Sequence, residues 1–477
     1  DYQYLQMKML NTGKGPGVQC LRTQSDRNIY PGRVQELLLA TPNLEIKEGM
    51  VTSLIHDDDT VFGVIMHDGT EIYAKAIVIT TGTYMEAQIL RGLEKTSSGP
   101  DGEKASIGLS KNLADMGIEI YRLKTGTPPR IRKSSIDFSK ASVQYGTDAK
   151  LAFSYTTNTY VPFADQHICH LIYTSPETHK IIKANLQKSA QFNGQIKGVG
   201  PRYCPSIEGK ITTFFDKPRH QLFLEPETKD GDSIYIQGFA TSMPREAQEQ
   251  MVRSLPGFAN AEILKYGYAI EYDAIVPTQF DASLRVKKYK GLYGAGQICG
   301  TSGYEEAAGL GIIAGINAVL AIRGQEPFIL KRNESYIGVM VDDLITKGAV
   351  EPYRLLSSRA EYRLLLRHDN ADLRLTDYGY RLGLISQARY QSFLLKNTNL
   401  QKALSILKTT YLGANKKVNS YLIKEGCTPL KAGTLAFDLL KRPDVKYARL
   451  IALIPDLSTC PLDETGIMQL EIMVKYE

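Results

Sequence analysis

Apolar positions along this chain change their period several times, and each change marks an element. In SDRNIYPGRVQELLLATPN the spacing of Val34, Leu37 and Leu38 is helical, with Pro31 starting or interrupting the helix. The runs LEIKEGMVTSLIH, VFGVIMHDG and TEIYAKAIVITTG read as short strands, and Asp68-Gly69 predicts a hairpin between the last two. Ala76 to Thr80 is continuously apolar and ends in Thr81-Gly82-Thr83, the pattern of a buried strand whose carboxyl end meets a ligand. IGLSKNLADMG, within Ser106 to Gly117, predicts another helix.

Between Ile136 and Leu264 strands and helices do not alternate at dinucleotide-fold spacing; the segment reads as an α+β insertion. The strand pattern resumes at YGYAIEYDAIVP. It closes at Gly291 to Ala318, where a buried strand runs into a glycine-rich turn and a small-residue helix. Gly294 and Gly296 leave room for close backbone approach, and Thr301, Ser302 and Gly303 can present N–H groups at a helix start. Small residues recur through Ala307, Gly309, Gly311, Ala314, Gly315 and Ala318. Because glycine costs a helix about 1 kcal/mol against alanine, they imply something packed against the backbone: a cofactor, or a helix seated on a sheet. From Ser335 onward the periodicity is helical. The predicted class is α/β, a discontinuous dinucleotide-type Rossmann domain (1–125 and 265–330) with an α+β insert (126–264) and a C-terminal helical domain (331–477).

Three glycine patterns imitate a dinucleotide fingerprint. Gly13, Gly15 and Gly17 lack a preceding strand, Gly309 and Gly311 lie within the helix, and Cys299 occupies the third place after Gly294 and Gly296. The expectation is therefore that the first βαβ unit lies upstream of Asp1 and that the chain is a fragment.

Composition narrows the class. With 43% hydrophobic and 23% charged residues, no apolar run near the roughly 20 residues of a membrane helix and no leader, a soluble cytoplasmic protein is expected. Six cysteines with no C-x-x-C predict neither zinc nor a disulfide scaffold. A net charge of +6 permits nucleic-acid binding without demanding it. Basic residues gather around a Pro-Pro loop (Arg122, Lys124, Arg130, Arg132, Lys133) and again at Arg354, Arg359, Arg363, Arg367 and Arg374, with Tyr353 and Tyr362 among them. If Arg359 to Arg367 is helical, three arginines form one stripe able to follow phosphates; a salt-bridged solvated face is the competing reading.

The runs MLNTGKGP, RLKTGTPPRI, GPRYCPSIEGKI, HQLFLEPE, GYAIEYD, AGQICGTSGYEEAAG and EPYRLLSSRAEYRLLLRHDNADLRLT occur here in one order. Together they resemble the MnmG/GidA family, flavoprotein subunits of the tRNA wobble-uridine 5-carboxymethylaminomethyl modification system. The resemblance implies a glutathione-reductase-like FAD enzyme that uses NADH and methylenetetrahydrofolate, forms a homodimer and works with the GTPase MnmE on tRNA. It implies FAD contacts at Val51, Ser106 and Gln297, beside the glycines Gly82, Gly294, Gly296 and Gly303 and Thr301. It also implies nicotinamide nucleotide binding along Gly200, Pro201, Arg202, Tyr203, Cys204, Pro205, Ser206, Ile207, Glu208, Gly209, Lys210, Ile211, Thr212, Thr213 and Phe214. Cys204 is the catalytic candidate: a nearby guanidinium favours its thiolate, and thiolate addition at C6 is what turns C5 of uracil into a nucleophile. A buried inert cysteine is the plainer alternative. Lys124, Arg130, Arg354, Arg359, Arg363 and Arg367 are the candidate RNA contacts. The rival functions are a folate- and FAD-dependent tRNA uridine methyltransferase and a non-catalytic RNA-binding subunit.

Overall fold

A parallel pair of strands, β6 (Ile77–Ile79) and β17 (Leu292–Gly294), lies where the apolar runs predicted buried strands, with Ile77 opposite Leu292 and Ile79 opposite Gly294. The computed structural model describes residues 1–202 and 205–476. Two units are resolved: one comprises Asp1–Met9, Leu21–Arg332 and Tyr336–Arg359, the other Leu10–Cys20, Asn333–Ser335 and Ala360–Glu477.

In the first unit the hairpin at Asp68-Gly69 forms as expected, with Gly69 at a φ of 86°. It joins β4 (Val61–Met66) to β5 (Glu71–Tyr73), and β3 (Val51–His56) completes a three-stranded antiparallel sheet. LEIKEG is not strand; residues 44–50 have no regular structure. A second antiparallel sheet runs in the order β8 (Glu94–Ser97), β7 (Gln88–Arg91), β16 (Tyr268–Ile275), β9 (Ile120–Thr127). Helices α2 (Leu109–Asp115), α6 (Tyr304–Ile322) and α7 (Tyr336–Lys347) share one core with these strands, including Leu113, Ile275, Leu292, Leu310 and Met340. The ribbon of β1 (Tyr4–Leu10) and β2 (Cys20–Ser25) stands apart from these sheets. Helix α1 (Ile29–Leu39) forms as predicted but buries no residue, and Leu37 is 68% exposed.

The insertion is a six-stranded antiparallel sheet in the order β11 (Ser142–Gln144), β12 (Cys169–Tyr173), β13 (Gln221–Pro226), β14 (Ser233–Gln237), β10 (Arg130–Arg132), β15 (Ile263–Lys265). Its core holds Leu222, Leu224 and Ile236 of the sheet together with Ile182, Ile207, Ile211, Ala247 and Met251, which come from α3 (Pro176–Asn185), α4 (Ile207–Thr213) and α5 (Arg245–Arg253). In sequence the strands of this sheet run from Arg130 to Lys265.

The predicted start of the helical domain at 331 is displaced. Helix α7 stays with the first unit because Met340, Val341 and Leu344 are buried in its core, and the buried Asp343 ties Arg332, Lys347 and Tyr353 together. The second unit contains α8 (Ala371–Arg381), α9 (Gln387–Thr409), α10 (Lys416–Lys424), α11 (Ala436–Leu440), α12 (Tyr447–Ile451) and α13 (Glu464–Tyr476) around Leu400, Leu407, Leu422, Leu440, Tyr447 and Leu470. Arg359 to Asn370 is not α-helical, so the predicted arginine stripe does not exist. In the sequence α6 looked too short for a membrane span, yet at 19 residues it meets that test of length and composition. Its buried Leu310, Ile313, Ala314 and Asn317 sit in the protein, and Asn317 exchanges two hydrogen bonds with the backbone of Phe328, as a core helix does.

Candidate functional site

The carboxyl ends of β6 and β17 open onto two turns, Thr81 to Ala87 and Ala295 to Gly303, which between them contain most of the predicted flavin contacts. Gly82 (φ 54°) and Gly296 (φ 80°) both adopt the left-handed conformation that side chains disfavour. A Cβ at Gly296 would touch Ala307 at 3.5 Å, and one at Gly82 would touch Tyr84 at 3.4 Å, ordinary van der Waals distances, so it is the left-handed backbone and not crowding that calls for glycine at both. The buried hydroxyls of Thr81 and Thr301 have no hydrogen-bond partner. Buried polar atoms are nearly always satisfied, so two orphans beside the edge where open parallel sheets bind ligands fit a polar ligand group there. Gln297 is half-buried in the short turn Gly296–Cys299.

Two glycines are corrected. A Cβ at Gly294 would strike the Phe280 ring at 2.8 Å and the Cys299 sulfur at 3.1 Å, so this glycine makes room for protein rather than cofactor. At Gly303 a Cβ would collide with the Glu306 carboxylate. The small-residue helix likewise has two causes: Gly309 admits Met340 and Ile337 of α7, whereas Gly311 and Gly315 have nothing within 4 Å.

Glu306 stands in the first turn of α6, where an acidic residue is ordinarily an exposed charge at a helix start. It is 3% exposed; one oxygen accepts from the Leu355 N–H at 2.8 Å and lies 3.6 Å from Arg354 Nε, while the other is an orphan. No local signal separates it from the exposed Glu305; only the packing of residues 353–355 does. Val51 begins β3 opposite Met66. Ser106 is not a helix cap, a role that falls to Gly108; it pairs with the Thr81–Ala87 turn, donating from its N–H to the Tyr84 carbonyl and accepting from the Glu86 N–H.

The Gly200–Phe214 run divides. Tyr203 and the catalytic candidate Cys204 lie outside the described residues. Arg202 is exposed, donates from its N–H to Glu351 at 3.1 Å and holds its guanidinium 3.7 Å from the same carboxylate. Ser206 caps α4 through the Gly209 N–H and donates to Gln191 at 2.6 Å. Ile207 and Ile211 are core, so their side chains are not free for a nucleotide. Glu208 is fully buried: one oxygen accepts from Ser189 and from both the N–H and hydroxyl of Ser242 at 2.9–3.1 Å, and the other has no partner. Lys210 donates to the Gly238 carbonyl at 2.9 Å. Pro201 is buried, Pro205 and Thr212 are half-buried, and Thr213 and Phe214 are exposed.

The candidate RNA contacts mostly face inward. Lys124 is 6% exposed, with its stem against Gly200 and its ammonium 3.3 Å from Gln191. Arg130 pairs with Glu227 at 3.1 Å and stacks over Tyr235. Arg367 is 7% exposed and paired with Asp369 at 3.0 Å. These three are corrected to structural pairs, since phosphate binding would first have to break each contact. Arg354 faces Glu306, and Arg359 stacks 4.3 Å over the Tyr353 ring. Arg363 is exposed.

Residues 1–326 match the family described as Glucose inhibited division protein A, and 387–477 match the tRNA modifying enzyme MnmG/GidA C-terminal helical domain. The tRNA uridine 5-carboxymethylaminomethyl modification enzyme MnmG of Geobacillus kaustophilus is 51% identical over all of this chain and 75% of its own length. The protein of the same name from Acholeplasma laidlawii is 51% identical over 76% of its length. Aquifex aeolicus GidA in its form I crystal superposes with a TM-score of 0.90 at 41% identity, covering 100% of this chain and 76% of that one. With a family match over more than half its length and relatives at this identity along all of it, the chain belongs to the MnmG/GidA family of tRNA-modifying enzymes.

Proposed function

We propose that this chain modifies C5 of the wobble uridine of tRNA with a carboxymethylaminomethyl or aminomethyl group, in an FAD-dependent reaction. The observation that carries the reading is full-length identity of about half to enzymes named for that modification, joined to the two orphaned threonine hydroxyls at the carboxyl edge of the parallel pair. FAD supplies two-electron redox chemistry when bound. Thr81, Thr301 and Gln297 offer it polar contacts, the left-handed turns at Gly82 and Gly296 leave it backbone to lie against, Ser106 is bonded to the Thr81–Ala87 turn, and Val51 joins them by family resemblance. The N-terminal end of α6 adds a partial positive charge that favours a reduced, anionic ring.

NADH is the electron source in this reading and meets the polar part of the Gly200–Phe214 run, where Arg202 is exposed and cationic. Methylenetetrahydrofolate is the one-carbon donor. The Cys204 thiolate adds at C6 of the uracil, so that C5 attacks the one-carbon unit; tetrahydrofolate leaves as the amine of glycine or ammonia takes its place on that carbon, and loss of the C5 proton expels the thiolate and restores the ring double bond. A homodimer and the GTPase MnmE complete the proposed assembly, in the cytoplasm. A methyltransferase is the weaker reading because residues 387–477 match the MnmG/GidA helical domain.

The test is reconstitution with FAD, NADH, methylenetetrahydrofolate, glycine or ammonium, MnmE with GTP, and unmodified tRNA, followed by nucleoside mass spectrometry. C5-modified uridine and a flavin absorption band are expected. Flavin binding without product would reject the substrate assignment, product from Cys204→Ser at the wild-type rate would reject the thiol, and absence of flavin would favour a non-catalytic subunit.

A further inference from the structure

We propose that Arg122 is a positioning residue that locks the flavin-side turn and the nicotinamide-side segment of the first unit into one fixed relationship. The inference rests on the nucleotide assignments of the preceding section. By sequence Arg122 belonged to a basic cluster; its surroundings give it another role. It lies on β9, its side chain only 23% exposed, and its guanidinium reaches in three directions. One terminal nitrogen donates to Asp273 on β16 at 2.7 Å, the Nε stands 3.5 Å from Glu271 on the same strand, and the other terminal nitrogen donates to the Glu86 carbonyl at 2.9 Å.

Each contact leads to a different piece of the site. Glu86 lies in the Thr81–Ala87 turn with a φ of 49°, a left-handed conformation that a residue with a side chain disfavours. The turn is held from both sides: its carbonyl by Arg122, and its carboxylate by the Gly108 N–H at 3.0 Å. Ser106, the candidate flavin contact, exchanges backbone hydrogen bonds with this turn. Glu271 is 1% exposed and accepts from the N–H groups of both Lys197 and Gly198 at 2.5 Å. Those residues open the segment that pairs with β9 through Leu123 and Val199 and continues into Gly200. Asp273 accepts from Ser110 of α2 at 2.5 Å. A planar guanidinium with several fixed donors is the group suited to bind two carboxylates and a carbonyl at once; an ammonium is a single point charge.

Hydrogen exchange of the purified chain tests this directly, because it reads the bridge without any cofactor. In Arg122→Met, exchange at Lys197 and Gly198 and at Glu86 and Ser106 is expected to rise together by about tenfold or more, the scale of coupling within one ion-pair network. Leu224 and Ile236 of the insert sheet serve as unchanged controls. Arg122→Lys should restore protection at only one of the two segments. Glu271→Gln can keep the one oxygen that accepts from both Lys197 and Gly198, but it replaces the oxygen facing Arg122 with an uncharged NH2 donor, so it must loosen the Glu86 side as well. Loosening confined to one segment in Arg122→Met, or a silent Glu86 side in Glu271→Gln, overturns the proposal. With both segments loosened, the FAD dissociation constant and the KM for NADH should rise severalfold with kcat changed less. If both ligands keep their wild-type affinities, the bridge stands and the nucleotide reading of these segments falls.

Discussion

At the scale of single residues, burial decides which reactive groups are available. Burial pushes the Cys169 thiol up to about 11 and raises that of Cys299 further, while Cys20 is exposed. A thiol two units above its reference holds about a hundredfold less thiolate near neutral pH. Iodoacetamide mapping of the folded protein should therefore label Cys20 and spare Cys169 and Cys299 until denaturant is added; rapid labelling of Cys299 would contradict its burial. Asp343 shows the opposite balance. Burial works against its ionisation, yet the contacts from Lys347, Arg332 and Tyr353 prevail and hold its carboxyl below the ordinary range. Its folded value lies under the unfolded one of about 3.9, so its stabilisation is complete above that pH and drains as pH falls through the folded value. Asp343→Asn should cost roughly 3–5 kcal/mol near neutrality, as breaking a buried pair does. The gap to wild type in denaturant titrations should narrow between about pH 5 and about pH 2; a gap that widens on acidification would refute this.

At the scale of elements, glycines that look alike in sequence separate sharply. Gly315 lies in α6 with nothing within 4 Å, so Gly315→Ala should stabilise by about 0.5–1 kcal/mol through helix propensity. Gly300 has a φ of 85°, and a Cβ there would stand 2.5 Å from the Tyr121 hydroxyl and 2.8 Å from Pro277, so Gly300→Ala should cost roughly 1–3 kcal/mol. Equal effects in urea unfolding would contradict both assignments. The same contrast explains what was legible in the sequence. The Asp68-Gly69 hairpin, α6 and α9 were readable because period and turn chemistry are local. The segment around Arg367 was not: its leucines and arginines mimic a helical stripe, but Arg367 donates to the Leu364 carbonyl and Arg374 to the Arg367 carbonyl, satisfying backbone that a helix would otherwise pair. At the site the glycine-rich turn and its threonines could be read from the chain. Glu306, Glu271, the burial of Glu208 and the role of Arg122 could not, since every one depends on partners distant in sequence.

For the molecule as a whole, a modest positive charge becomes a smaller binding surface once the internal pairs are removed. Of the six basic residues nominated for RNA, Lys124, Arg130 and Arg367 are committed inside, and Arg363 is the exposed one free of any ion pair among the described residues. Arg363→Glu should weaken tRNA binding and flatten the slope of log K against log salt by about one or more. Arg367→Ala should instead lower stability by roughly 3–5 kcal/mol, as removing one partner of a buried ion pair does, with little change in that slope. An unaltered slope for Arg363→Glu would remove it from the interface.

The path of the chain carries one more consequence. Residues 10–20 and 333–335 belong to the helical unit although both are flanked on each side by the other one. A cut after residue 359 would thus not release a self-contained piece, because it would leave two short stretches behind without their companions. Splitting the protein for separate expression calls for rejoining those stretches to the helices, by circular permutation or by supplying the carboxyl-terminal piece in trans.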